Sequence, residues 1–146
     1  MTAVKSAMLP GDSLLYGHKK PGDFMDCYAK PTACSLEEVA QRMMTFPAWV
    51  SQLMRLRNAL VKPFGISTHF AASETIGIFP VISRSENEII LGTDDKHLDF
   101  RISIMVRDGM AYAATWVRTK NLFGRFYLRA IMPFHILIVR RSVARA

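Results

Sequence analysis

Cysteine is scarce in this chain, and motifs that fix a reaction are missing. Cys27 and Cys34 are the only thiols in 146 residues. They have no second pair and no histidine at finger spacing, which argues against a zinc ribbon or finger. A small secreted domain usually carries more cysteines, so a reducing, cytoplasmic setting is expected. The opening stretch "MTAVKSAMLPGDSLLYGHKKPGD" lacks an uninterrupted apolar core and carries Pro, Gly and Asp early, unlike a secretory signal. "GHKKPGD" offers two glycines but no strand-to-helix context for a phosphate loop. His18, His69, His97 and His135 are too scattered to predict a metal site, and no cofactor is expected. No basic run interleaved with aromatics appears, so nucleic acid is not an expected partner. The most apolar stretch, Ile131 to Val139, falls far short of the roughly 20 residues that span a bilayer; no transmembrane segment is expected.

What is present points to one globular domain over residues 1–146, with an irregular N-terminal segment over 1–22. Half of the residues are hydrophobic, enough to bury a core without staples. The net charge of +7 is concentrated late: Arg118, Lys120, Arg125, Arg129, Arg140, Arg141 and Arg145 crowd the tail. Such a bias suits an acidic partner or an anionic surface.

Helical and strand periods alternate along the chain. Ser35 with Glu38 forms a capping box that opens a helix from about Leu36 to Met44. Pro47 starts a second helix in which Trp49, Leu53, Leu56 and Leu60 make one apolar stripe, stopped by Pro63 and Gly65. "GDFMDCYAK", before the helices, alternates as a strand should. After them, "IGIFPVISR" and "EIILGT" are joined by the polar "SENE". "HLDFRISIMV" and "MAYAATWVRT" are joined by "RDG", whose Asp108-Gly109 is a strong turn pair. The tail returns to helix, with Asn121 as N-cap and a kink expected at Pro133. Its expected apolar face is Phe123, Phe126, Tyr127, Ala130, Phe134, Leu137 and Ile138. Because the stretch from Ile131 to Val139 is apolar nearly all round, burial is expected. The result is an α+β domain, an antiparallel sheet wrapped around a long C-terminal helix.

This element order, with "WVSQLMRLRNALVKPFG", "DDKHLDFRISI" and "NLFGRFYLRAIMPFHILIVRR", resembles an uncharacterised bacterial domain family near the START-like (polyketide cyclase, helix-grip) superfamily. The resemblance runs from about Asp23 to Arg141. It implies a cavity between sheet and helix; a fold alone does not fix a function.

The candidate site residues divide by strand and helix face. In the "HLDFR" strand, His97, Asp99, Arg101, Ser103 and Met105 point one way; Leu98, Phe100, Ile102, Ile104 and Val106 point the other and form a core row. The polar row is then a solvated face with an Asp99–Arg101 pair worth little, or it packs in a homodimer or against the N-terminal segment. His97, at the strand entrance, is a candidate proton-transfer group if it turns into a cavity mouth. On the next strand, Tyr112, Ala114, Trp116 and Arg118 alternate with Ala113, Thr115 and Val117, and either row could line a pocket. His135, just after Pro133, is either a packed core residue or a cavity base or anchor. Arg125, Arg129 and Arg140 form a solvated stripe or meet acidic headgroups. Arg57 stands beside the apolar stripe of the second helix, at the expected cavity mouth.

Three functions are compatible with these residues. The first is binding of a small, largely apolar ligand lined by Trp116, Tyr127, His135 and Arg57. The second is a cyclase- or isomerase-type enzyme using His135 or His97. The third is an interaction domain whose nine Phe and nine Met fill the core.

Overall fold

The computed structural model describes residues 4–11, 13–17, 20, 23–44, 75–76, 79–94 and 98–145, with single positions 52, 55, 56 and 59. Of the second helix expected from Pro47 onward, only Gln52, Arg55, Leu56 and Ala59 are described; they are helical, and Leu56 of the expected stripe is exposed. Trp49, Leu53, Arg57 and Leu60 lie outside the described residues, as does His97.

Among the described residues, seven strands form an antiparallel sheet in the order β1-β2-β7-β6-β5-β4-β3. They are β1 (Lys5–Ser6), β2 (Phe24–Pro31), β3 (Thr75–Ile76), β4 (Phe79–Arg84), β5 (Glu88–Asp94), β6 (Leu98–Arg107) and β7 (Met110–Thr119). Among the described residues two bounded helices accompany them, α1 (Leu36–Met43) and the long α2 (Leu122–Ala144). The architecture is therefore α+β, as the alternation of periods predicts.

Local chemistry sets the element ends. Ser35 caps α1, its hydroxyl accepting the Glu38 N–H at 3.3 Å. Asn121 caps α2 by accepting the Gly124 N–H at 2.9 Å. The β6–β7 hairpin closes on Asp108 (φ 52) and Gly109 (φ 76), the two positive φ values that a two-residue type I′ turn requires. The expected strand "IGIFPVISR" is divided instead into β3 and β4, and a bulge between Val81 and Ser83 shifts the register of β4 on β5. A bulge adds one residue to one strand and strengthens its twist.

Both faces of the sheet are covered, by different parts of the chain. On the first face, Tyr28, Ile89, Leu91, Ile104, Ala111 and Ala113 pack with Val39, Ala40 and Met43 of α1 and Val143 of α2. Ile102 and Val106 extend that row, so the core side of β6 is the one its alternation predicts. On the second face, Cys27, Ile90, Ala114 and Trp116 pack with Leu9 and Leu15 from the N-terminal segment. The described residues of that segment contribute β1, paired with β2, and a 3-10 turn over Leu14–Gly17. Of the alternatives for the "HLDFR" face, packing against the N-terminal segment is the one observed.

The lock on that segment is Glu88, only 1% exposed. Its carboxyl accepts the hydroxyls of Ser13 and Ser103 and the Leu14 N–H, the last at 2.8 Å. A buried carboxyl is tolerable only with such partners. Here they tie residues 13–14 to β5 and β6.

The helix α2 differs from expectation in its burial. Gly124, Ser142 and Val143 are its only buried residues. Leu122, Phe126, Phe134, Ile136 and Leu137 are exposed, so much of the expected apolar face points outward. A helix that is apolar nearly all round carries no periodicity to say which side docks. Specific contacts decide it. Phe24, Asp26, Tyr28 and Lys30, alternate residues of β2, meet the C-terminal half of α2 in sequence. Phe24 and Asp26 face His135. The Arg140 guanidinium stacks 5.5 Å from the Tyr28 ring centroid, and Lys30 Nζ donates to the Ala144 carbonyl at 2.8 Å. Arg145 then donates to the carbonyls of Arg42 and Met43, joining the end of α2 to the end of α1. Helix α2 continues unbroken through Pro133.

Candidate functional site

His135 and Asp26 form the polar group of the interface between sheet and helix. Helix α2 presents Gly124, Leu128, Ile131, His135, Val139 and Ser142 along one stripe at helical spacing, and each is buried or half-buried. His135 stands midway along it. Its Nε2 lies 3.1 Å from Asp26 Oδ2, with both side chains less than one-fifth exposed. The Phe24 ring meets the imidazole edge-on, centroids 6.2 Å apart. The second carboxyl oxygen, Asp26 Oδ1, is buried and has no hydrogen-bond partner among the described residues. A buried acceptor without a donor costs about 1–3 kcal/mol, so the pair retains unused hydrogen-bonding capacity in a largely apolar setting.

The other candidate residues divide between this site and the opposite face. Tyr127 is half-buried on α2, two turns before His135 and roughly 80° round the helix. Trp116 lies elsewhere. It pairs across from Met25, whereas Asp26 pairs across from Thr115, so Trp116 faces the N-terminal segment. The structure does not bring Trp116 and His135 into one cavity. Sequence reasoning passed over Asp26, although a signal was present. Asp26 shares its strand face with Phe24 and Tyr28, so an acid was placed between two aromatics that the helix would cover.

On the second face Trp116 belongs to a charged cluster. Its indole N–H donates to Asp23 Oδ2 at 3.0 Å, and Arg118 grips the same carboxylate through both Nε and Nη2, at 3.2 and 2.9 Å. The Arg118 guanidinium also lies 5.0 Å from the Trp116 ring centroid. Asp99 pairs with Lys120 at 2.8 Å, a partner additional to the Asp99–Arg101 pair expected within "HLDFR". The Arg118 hydrogen bonds, helped by Lys20 N–H and the indole, hold the Asp23 carboxyl down to about 2, below its ordinary 3.8.

A pH effect follows with a definite sign. A carboxyl depressed in the folded state stabilises the fold above the unfolded value and loses that contribution as protons are added. The Asp23 contribution is complete above about pH 4 and vanishes as pH falls through about 2. Acid unfolding of Asp23→Asn followed by circular dichroism is expected to show a shallower loss of stability over that range. An acid limb identical to wild type would remove Asp23 from the account.

Burial pushes the Cys27 thiol up to about 12, which makes it a packed residue and not a nucleophile. Among the described residues, no group of three or more His, Cys, Asp or Glu is placed to hold a metal ion.

The fold and this buried pair define an α+β sheet-and-helix protein with a polar dyad at the layer boundary. Residues 20–142 match the family described as protein of unknown function DUF2867, and the chain belongs to that family. Neither a curated protein nor a solved structure matches it.

Proposed function

We propose that the chain binds a small, largely apolar ligand between the sheet and α2, with Asp26 and His135 as its polar anchor. The carrying observation is the buried Asp26 Oδ1, without a donor among the described residues, beside an imidazole and the Phe24 ring. Ligand sites are mostly apolar with a few convergent polar groups. A hydroxyl or N–H on the ligand would supply the missing donor, and the half-buried Tyr127, Leu128 and Ile131 are positioned to pack beside it. The order of strand, helices, antiparallel meander and long final helix supports the helix-grip, START-like reading of the fold. The free thiols Cys27 and Cys34 support a reducing, cytoplasmic setting.

The same pair favours a second reading, a cyclase- or isomerase-type enzyme. Asp26 on Nε2 would fix the imidazole tautomer and leave Nδ1 to move a proton on the ligand. Turnover lost in His135→Gln with ligand affinity retained would select this reading over simple binding.

Fluorescence titration with 1-aminoanthracene, an apolar probe carrying an N–H donor, tests the anchor. Wild type is expected to bind the probe, and Asp26→Leu to bind at least ten-fold more weakly with its thermal melt preserved. Equal affinity in the two proteins would contradict the proposal.

A further inference from the structure

The outward face of α2 is bulky, apolar and bare. Leu122 and Phe126 are 75% and 78% exposed, and Phe134 and Leu137 are 51% and 43% exposed. At about 100° per residue, Leu122, Phe126, Ala130, Pro133 and Leu137 share one stripe opposite His135, with Phe134 at its margin. Arg125 and Arg129 are exposed in the first two turns and flank that stripe. No Asp or Glu follows Asp108 anywhere in the sequence. Solitary exposed apolar residues are ordinary, but a contiguous bulky row rimmed by one sign of charge marks a contact surface.

Three occupants can be compared. By length and composition α2 could cross a membrane. Its uncharged run, however, is Ala130 to Val139, ten residues, or about 15 Å of helix against a hydrocarbon core of about 30 Å. Its opposite face is also committed to β2 through His135, and its C-terminal turns through Arg140 and the Ala144 carbonyl. A second copy is disfavoured by charge. Pairing the two outer faces antiparallel would set Arg125 and Arg129 against the partner's arginine-bearing end, with no carboxylate on the helix to compensate. An anionic lipid surface satisfies both features at once.

We propose that α2 seats the protein on an anionic membrane surface. Phe126, Phe134 and Leu137 enter the boundary between headgroups and acyl chains, and Arg125 and Arg129 meet lipid phosphates. An amphipathic helix lying in the interface needs this pairing of bulky apolar and cationic groups. The seating orients the sheet–helix junction beside the lipid, but it does not depend on ligand binding there.

Co-sedimentation of the full chain with vesicles tests it. The protein is expected to pellet with equal parts phosphatidylglycerol and phosphatidylcholine, to stay in solution with phosphatidylcholine alone, and to be released by salt. The double variant Phe126→Ser with Leu137→Ser is expected to lose pelleting while its circular-dichroism melt is unchanged, since both residues are solvent-exposed. Arg125→Gln and Arg129→Gln are each expected to weaken binding about five-fold. Failure of wild type to pellet with anionic vesicles would overturn the proposal. So would pelleting that survives the Phe126/Leu137 change, or a dimer in sedimentation velocity that this change dissolves, which would make a second copy the occupant.

Discussion

Gly92→Ala is expected to cost about 3 kcal/mol or more, among the largest effects of any single methyl group in the chain. Gly92 sits within β5 at φ +151, opposite Arg101 of β6. A Cβ built there would lie 2.2 Å from the Phe100 carbonyl oxygen and 3.0 Å from the Arg101 Cα. Both are backbone atoms of the paired strand, so no side chain can swing aside to make room. The φ value itself belongs to glycine, and an L-residue there would add backbone strain. Relief requires β5 to separate from β6 in the middle of the sheet, where Ile90 and Leu91 are fully buried. Urea unfolding measures the loss. Gly17→Ala provides the control, because a Cβ there meets nothing within 4 Å. Equal midpoints for the two variants would show that the β5–β6 contact at Gly92 has been misjudged.

Glu88→Leu is expected to destabilise by about 3 kcal/mol and to free the N-terminal segment first. Leucine fills the volume but accepts no hydrogen bond. The Ser13 and Ser103 hydroxyls would then be left buried without their acceptor, and the partly buried Leu14 N–H would lose its partner. Each stranded buried donor costs about 1–3 kcal/mol, less what its own rotation recovers. The weakest element joined through Glu88 is the segment carrying Leu9, Ser13 and Leu15, whose other described backbone pairing with the sheet is the two-residue β1 and the Ala7 N–H on the Cys27 carbonyl. Limited proteolysis is therefore expected to cut this segment in Glu88→Leu under conditions where β6 and β7 survive. Glu88→Gln retains one acceptor oxygen and is expected to fall between the two. Wild-type resistance in Glu88→Leu would mean that apolar packing of Leu9 and Leu15 alone holds the segment.

Much of the sheet was legible from sequence because its chemistry is local. Asp108-Gly109 specifies a turn with two positive φ values, and the alternation from Leu98 to Val106 specifies which side of β6 is core. Ser35 and Asn121 announce the starts of α1 and α2. What escaped was set by contacts far apart in the chain. Glu88 reads as part of a polar turn, and only its meeting with Ser13, 75 positions away, makes it a buried lock. The N-terminal segment shows too little periodicity to reveal β1 or its place over Trp116. Helix α2 was readable in extent but not in orientation, since apolar residues surround it and the docked side is chosen by His135 against Asp26 and by Lys30 against Ala144. For the same reason Asp26 gained significance only once β2 and α2 were side by side.

In the proposed function, Asp26 and His135 hold a small apolar ligand between sheet and helix. Native mass spectrometry of the purified protein, compared with Asp26→Leu, tests it most directly. A non-covalent small-molecule adduct on the wild-type chain, released on denaturation and missing from the folded variant, is the predicted result. A bare wild-type chain, or an adduct held equally by both proteins, would contradict the claim and favour a filled junction in which Asp26 and His135 only fasten the helix to the sheet.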